Sequence, residues 1–251
     1  MRGKTHMGGP RPTFDDPSLH AVYCAAKFKP SPLFPDRRGA LAKALMGLLD
    51  TDEWRFDGGS LDVSAEEGRR MVGIELGSFY FIAEEPGTTD ATLAELEQAL
   101  AVVSEMLELT EFSSVAVNLE WLVGIAAPQG VQKWFRERLG LTAANTLLDP
   151  FGGGPTDTKC EFTFEVNSDE EEPVSGFQLS LSGVTASEMA GDTFFEAEES
   201  SFPDEAVKVE IWNLDTALLG SVDEAGAAFR AAYERAWEAG DRVTAELHGE
   251  V

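Results

Sequence analysis

Val115, Val117, Leu119, Trp121, Val123 and Ile125 alternate with mostly smaller or polar residues over an eleven-residue stretch. A period of two places all six on one face of a single β-strand. A strand that long needs a second layer over its apolar row, so the chain must supply a cover of helices or of another sheet. Helical patterns flank it on both sides. Upstream, Leu93, Leu96, Leu100, Val103 and Leu107 recur at steps of three and four behind a Thr92/Glu95 capping box. Further upstream, Asp36 offers an N-cap for a helix carrying Leu41, Leu45, Leu48 and Leu49. Downstream, Val131, Trp134, Phe135 and Leu139 mark a short helix, and Ser221/Glu224 cap a long one bearing Phe229, Tyr233 and Trp237. Gly240 is expected to interrupt or end that last helix.

Strand signals fill the gaps. His20–Phe28 reads as a strand closed by the proline-rich turn at residues 30–35. Trp54–Phe56 and Leu61–Val63 flank Asp57-Gly58-Gly59, and Met71–Leu76 and Ser78–Ala83 form a hairpin about Gly77. In the second half, four runs (160–166, 177–181, 193–197 and 207–211) are separated by acidic or glycine-bearing turns, the pattern of an antiparallel meander. The expected fold is therefore α+β in two lobes. A mixed β-sheet with helices (19–149) comes first, then a linker at 150–157. An antiparallel four-stranded meander closed by a long C-terminal helix (158–251) follows. Residues 1–18 are expected to be a leader and disordered start, with His6-Met7 resembling a cloning scar and Met7 the native start.

Charge is distributed unevenly. Residues 161–210 hold fourteen carboxylates and one base, Lys208, within a chain of net charge −26. Such a surface repels nucleic acid and anionic lipid and attracts cations. A hydrophobic content of 43% is enough for a folded core despite that charge. No apolar run reaches the ~20 residues of a membrane-spanning helix. Cys24 and Cys160, two cysteines in strand-like runs, make no disulfide framework, and a cytoplasmic location follows as the expectation. The sequence carries no signal for oligomeric state.

Alternation dictates where the acids point. If Cys160, Phe162, Phe164 and Val166 turn inward, Glu161 and Glu165 turn outward. Glu196 and Glu198 share one face of the third run, and Glu210 lies on the outer face of the fourth. Together they would form a grid of negative charge, with spacings of roughly 6.5–7 Å along a strand and 4.8 Å between strands. Trp212 either points outward beside that grid as an apolar anchor or is twisted under a neighbouring loop.

Catalytic constellations are scarce. Outside the leader the histidines are His20 and His248, with no zinc-ligand spacing, no nucleophile elbow and no phosphate loop. No cofactor or metal is expected. Glu75 and Glu120 interrupt apolar strands, and Glu120 shares a face with Asn118, so these three could floor a polar pocket or simply face solvent.

The function expected from these residues is a non-enzymatic acidic binding protein. It docks a basic protein partner through Glu161, Glu165, Glu196, Glu198, Glu210 and Trp212. A small acidic α+β protein without catalytic histidines shares its general character, though no sequence motif, with bacterial immunity proteins and inhibitors that neutralise toxins. The alternative is an enzyme or a small-ligand or metal-binding protein with a carboxylate-lined pocket between the lobes, built on Glu75, Asn118 and Glu120. A structural or self-associating component is a third possibility.

Overall fold

The computed structural model describes residues 13–14, 18–127, 129–138, 159–166, 175–216 and 218–248. The chain is α+β. Its strands are β1 (Thr13–Phe14), β2 (Ser18–Phe28), β3 (Glu53–Asp57), β4 (Ser60–Ala65), β5 (Arg70–Ile74), β6 (Ser78–Glu84), β7 (Phe112–Ala126), β8 (Lys159–Val166), β9 (Ser175–Thr185) and β10 (Glu205–Asp215). Its helices are α1 (Phe34–Leu49), α2 (Thr89–Leu107), α3 (Val131–Arg138), α4 (Ala186–Asp192) and α5 (Val222–His248). The strands follow the order β3-β4-β5-β6-β2-β7-β10-β9-β8, with β1 beside β7. The registered pairs β1/β7, β2/β6, β3/β4, β4/β5 and β5/β6 are all antiparallel. Thr13 and Phe14, within the stretch read as a leader, pair with Ala126 and Ile125.

Two compact units divide the chain, each built from separated segments. One comprises Leu19–Trp121, Glu161–Ser180 and Val209–Val251, hereafter the larger unit. The other, the smaller unit, comprises Met1–Ser18, Leu122–Cys160 and Leu181–Lys208. The linker expected at 150–157 lies outside the described residues.

In the larger unit, register explains the layers. Residues directly opposite on paired strands share a face. One ladder runs Trp54–Val63–Val72–Phe81–Cys24, and the next runs Phe56–Leu61–Ile74–Phe79–Ala26. From β4 inward these side chains are fully buried. α1 lies over β3 and β4, where the Arg38 guanidinium sits 4.1 Å above the Phe56 ring. α2 buries Leu93, Leu96, Leu100 and Val103, and its Glu95 accepts from Arg70 Nε at 2.7 Å. α5 buries Phe229, Tyr233 and Ala236. Trp237 is 40% exposed, stacked on Tyr233 at 6.1 Å and tilted against Trp121 at 5.9 Å. All three helices thus cover one face of the sheet. Each fully buried Val, Leu, Ile or Phe there contributes about 1.5–3 kcal/mol of transfer free energy.

Local signals were displaced in several places. α1 begins at Phe34 with Pro35 in its first turn and no side-chain cap, and Asp36 lies inside the helix. Proline's preset φ fits a first turn, which makes an earlier start possible. α2 is capped by Thr88, whose Oγ1 accepts from Ala91 N at 3.3 Å, while Thr92 is buried in the helix. The Ser221/Glu224 cap does form: Ser221 Oγ accepts from Glu224 N at 3.1 Å and Glu224 accepts from Gly220 N at 2.7 Å.

The meander differs more. β8, β9 and β10 are neighbours in the sheet, but Thr193–Ala197 is not a strand. Thr185 and Glu188 form a capping box that starts α4, and the chain then runs irregularly to β10. A complete cap outweighed the weak strand pattern. Phe162 and Phe164 are 45% and 51% exposed on β8, the last strand in the sheet order, rather than facing a core. No side chain is described for Glu165 or Val166.

Nor does Gly240 end α5, which continues to His248. The glycine is needed because the helix backbone touches Trp121: a Cβ at 240 would overlap the indole ring. Gly240→Ala should therefore destabilise the protein by about 1–3 kcal/mol through overpacking, although alanine is the better helix former by ~1 kcal/mol. Urea unfolding of the variant checks this.

Candidate functional site

With the helices on one face, the other face of the larger unit carries the polar and aromatic set. Arg55, Asp62, Gly73, Tyr80 and Ala25 lie opposite one another on successive strands. The Tyr80 ring lies flat over Gly73, where any Cβ would overlap it. Isolated strand glycines often mark such a close approach. The Tyr80 hydroxyl donates to one oxygen of the buried Asp62 carboxylate, and Arg55 Nη2 donates to the other at 3.3 Å.

Aromatic contacts continue from there. Tyr23 stacks on Tyr80 with centroids 6.3 Å apart and planes 16° apart. On its other side Tyr23 meets Trp212 at 5.4 Å, tilted by 58°. Tyr23 belongs to β2 and Trp212 to β10, and β7 runs between those two strands. Second-neighbour strands lie about 9.6 Å apart, twice the interstrand spacing. Both rings must therefore lean over β7 to touch.

The residues of β7 on this face are even-numbered, since Trp121 faces α5. They include Asn118 and Glu120, as the alternation predicts. Asn118 is 8% exposed, and its Oδ1 has no hydrogen-bond partner among the described residues. An unsatisfied buried amide oxygen is destabilising by about 1–3 kcal/mol. On β10, Asn213 faces α5 through Arg235, whose Nη2 donates to Asn213 Oδ1 at 3.0 Å. That alternation puts Glu210 with Trp212 on the open face.

Electrostatics follow this packing. Burial is the main cause that pushes the Tyr80 phenol well above its ordinary value, followed by the hydrogen bond and charge of Asp62 and then the charge of Glu75. Tyr23 is raised for the same first reason, with Glu75 next. Tyr233, on α5, is raised by burial, partly offset by its hydrogen bond with Thr89.

The candidate residues thus fall into two groups. Glu210 and Trp212 join Asn118 and Glu120 on one face of two neighbouring strands, all within the larger unit. Glu75, at the end of β5, is exposed and accepts from Ser78 Oγ at 2.9 Å. Trp212 packs against Tyr23 and is half-buried. Glu161 is exposed on β8. Glu196 and Glu198 are exposed but lie off the sheet, in the connection after α4, so a regular two-dimensional grid does not form. That connection belongs to the smaller unit, whose one base between residues 181 and 208 is Lys208. Lys208 Nζ is already paired with Asp192 at 2.5 Å. Beside Glu196, Phe194 is 61% exposed.

Tyr23, Tyr80, Asp62 and Phe194 were not singled out by sequence. Gly73 opposite Tyr80 was the available signal, but it becomes readable only once register is known. Among the described residues no three His, Cys, Asp or Glu side chains are grouped to hold a metal ion. Among them, too, no helix is long and apolar enough to cross a membrane. No family model matches the chain, and neither the curated proteins nor the solved structures contain a significant match.

The chain has three tyrosines, and all three phenols are raised above the ordinary value of 10.0. A raised folded-state value means that stability is fully present below pH 10.0 and is lost as the pH climbs toward the folded value, because the unfolded chain releases its phenolic protons first. The phenolate absorbance band should therefore rise together with loss of circular dichroism above that pH, rather than before it. Asn118→Val should leave stability unchanged or raise it by about 1 kcal/mol, because it removes the orphaned oxygen from a strand position. Thermal unfolding reads that change.

Proposed function

We propose that the protein is a non-enzymatic acidic binding protein of the inhibitor or immunity type, docking a basic protein partner in the cytoplasm. The observation that carries this reading is the charge of the segment from 181 to 208. Its single base is taken by Asp192, while Glu196, Glu198, Glu199 and Asp204 are at the surface. An ordinary soluble face mixes both signs. Phe194, exposed beside these acids, supplies the apolar contact that charge alone does not. The larger unit, taken by itself, has further carboxylates in Glu161 on β8 and Glu210 near Trp212 on β10. Cys24 and Cys160 are free thiols, which fits a reducing compartment.

Long-range attraction acts mainly on association rate. A partner retained from a lysate of the source organism on the immobilised protein should be basic and should elute with salt. Its association rate should fall about tenfold or more between low and physiological ionic strength. The double reversal Glu196→Lys/Glu198→Lys should slow association by a similar factor while leaving the melting temperature near that of the parent. Unaltered association by the double variant, measured by surface plasmon resonance, would remove the proposal.

A further inference from the structure

β3 stands at one end of the strand order, and no strand among the described residues pairs with its outer side. Hydrogen bonds further along the ladder fix which of its main-chain groups point out. In an antiparallel pair each residue directs its N–H and C=O to the same side, and successive residues alternate. Glu75 N donates to Ser78 O at 2.9 Å and Glu84 N donates to Arg69 O at 3.0 Å. The odd-numbered residues of β5 therefore bond toward β6 and the even-numbered ones toward β4. Arg70, Val72 and Ile74 lie opposite Ala65, Val63 and Leu61, which leaves Asp62 and Ser64 to bond toward β3. Thr51 Oγ1 reaches Ser64 O from that side at 2.7 Å. Glu53, Arg55 and Asp57 lie opposite Ser64, Asp62 and Ser60 and so bond inward. The N–H and C=O groups of Trp54 and Phe56 point out.

Strand edges are commonly blunted by lysine, proline, a bulge or a covering segment. β3 has no lysine or proline, and its register with β4 is unbroken. On the helix-covered side Trp54 is 53% exposed and Phe56 37%. On the open side its charges run Glu53, Arg55, Asp57, an alternation that suits an antiparallel copy of itself in one register. With Trp54 opposite the Trp54 of a second copy, Glu53 and Arg55 face each other twice across the two-fold axis. Next along the helix-covered side, Asp52 of each copy comes opposite Phe56, over whose ring the Arg38 guanidinium sits at 4.1 Å. Arg55 gives Nη2 to Asp62 and has further N–H groups to donate. Moving the register by two residues either way sets Glu53 against Glu53 or Arg55 against Arg55. Moving it further sets Trp54 against Gly58, where a φ of 57° turns the chain away. We propose that two copies of the chain join along β3 in the Trp54-centred register, with Trp54 and Phe56 supplying the main-chain hydrogen bonds.

The pairing is short, so the dimer is expected at chain concentrations of roughly 0.1–1 mM. Each copy carries a net charge of −26. Screening should therefore favour self-association, by about tenfold in association constant between roughly 0.05 and 0.3 M NaCl. That response is opposite to the one expected for a basic partner, so the two readings stand or fall separately. Sedimentation equilibrium measures the association, and hydrogen exchange locates it: the Trp54 and Phe56 amides should exchange more slowly as the chain concentration rises. Glu53→Arg sets like charges face to face and should weaken the dimer about tenfold, although it lowers the net negative charge. Glu238→Arg makes the same charge change on the exposed surface of α5 and should strengthen the dimer slightly. A chain that stays monomeric at about 1 mM in about 0.3 M NaCl overturns the proposal. So does a dimer that Glu53→Arg leaves intact, or one whose Trp54 amide exchanges as fast as in the monomer, since its contact then lies elsewhere.

Discussion

The placement of α1, α2 and α5 on a single face of the larger unit's strands is the constraint from which its other features follow. Alternation sends half of every strand's side chains under those helices and leaves the other half to find cover among themselves. On the helix side the solution is ordinary: rows of Val, Leu, Ile and Phe that meet apolar helix stripes. On the open side the cover is aromatic. Tyr80 lies over Gly73, Tyr23 over part of Tyr80, and Trp212 reaches Tyr23 above β7. The same rings that shield the sheet from water also raise the phenol pKa values and bury Asn118.

This arrangement has a thermodynamic tension. Asp62 is buried, but both its oxygens have donors, so its desolvation is compensated. Asn118 is buried and its Oδ1 is not compensated. A strand position flanked by Val117 and Leu119 would be more stable with a β-branched apolar residue. The net charge of −26 is a second source of instability, since like charges repel one another in the compact state.

Much of the fold was legible because its signals are local and redundant. The alternation from Val115 to Ile125 became β7, the Gly77 hairpin became β5 and β6, and Ser221 with Glu224 capped α5. The failures have identifiable causes. Thr193–Ala197 looked like a strand because short runs of Phe and Thr resemble one, yet the Thr185/Glu188 box upstream directed the chain into α4. Gly240 looked like a stop because the Trp121 ring that requires it is more than a hundred residues away in sequence. Site residues fared likewise: parity correctly grouped Asn118 with Glu120 and Glu210 with Trp212. It could not pair β2 across β7 with β10, so Tyr23 and its partners stayed hidden. Register between distant strands carries that information, and single residues do not.

The claim on which the site depends is that Tyr23 and Trp212 touch above β7. Nuclear Overhauser spectroscopy on protein labelled selectively at tyrosine and tryptophan measures this directly. Cross-peaks between the Tyr23 ring and the Trp212 indole, lost on Trp212→Leu, are the predicted result. A Trp212 indole with no tyrosine cross-peak would mean that the aromatic bridge does not exist and that Asn118 is covered by something else.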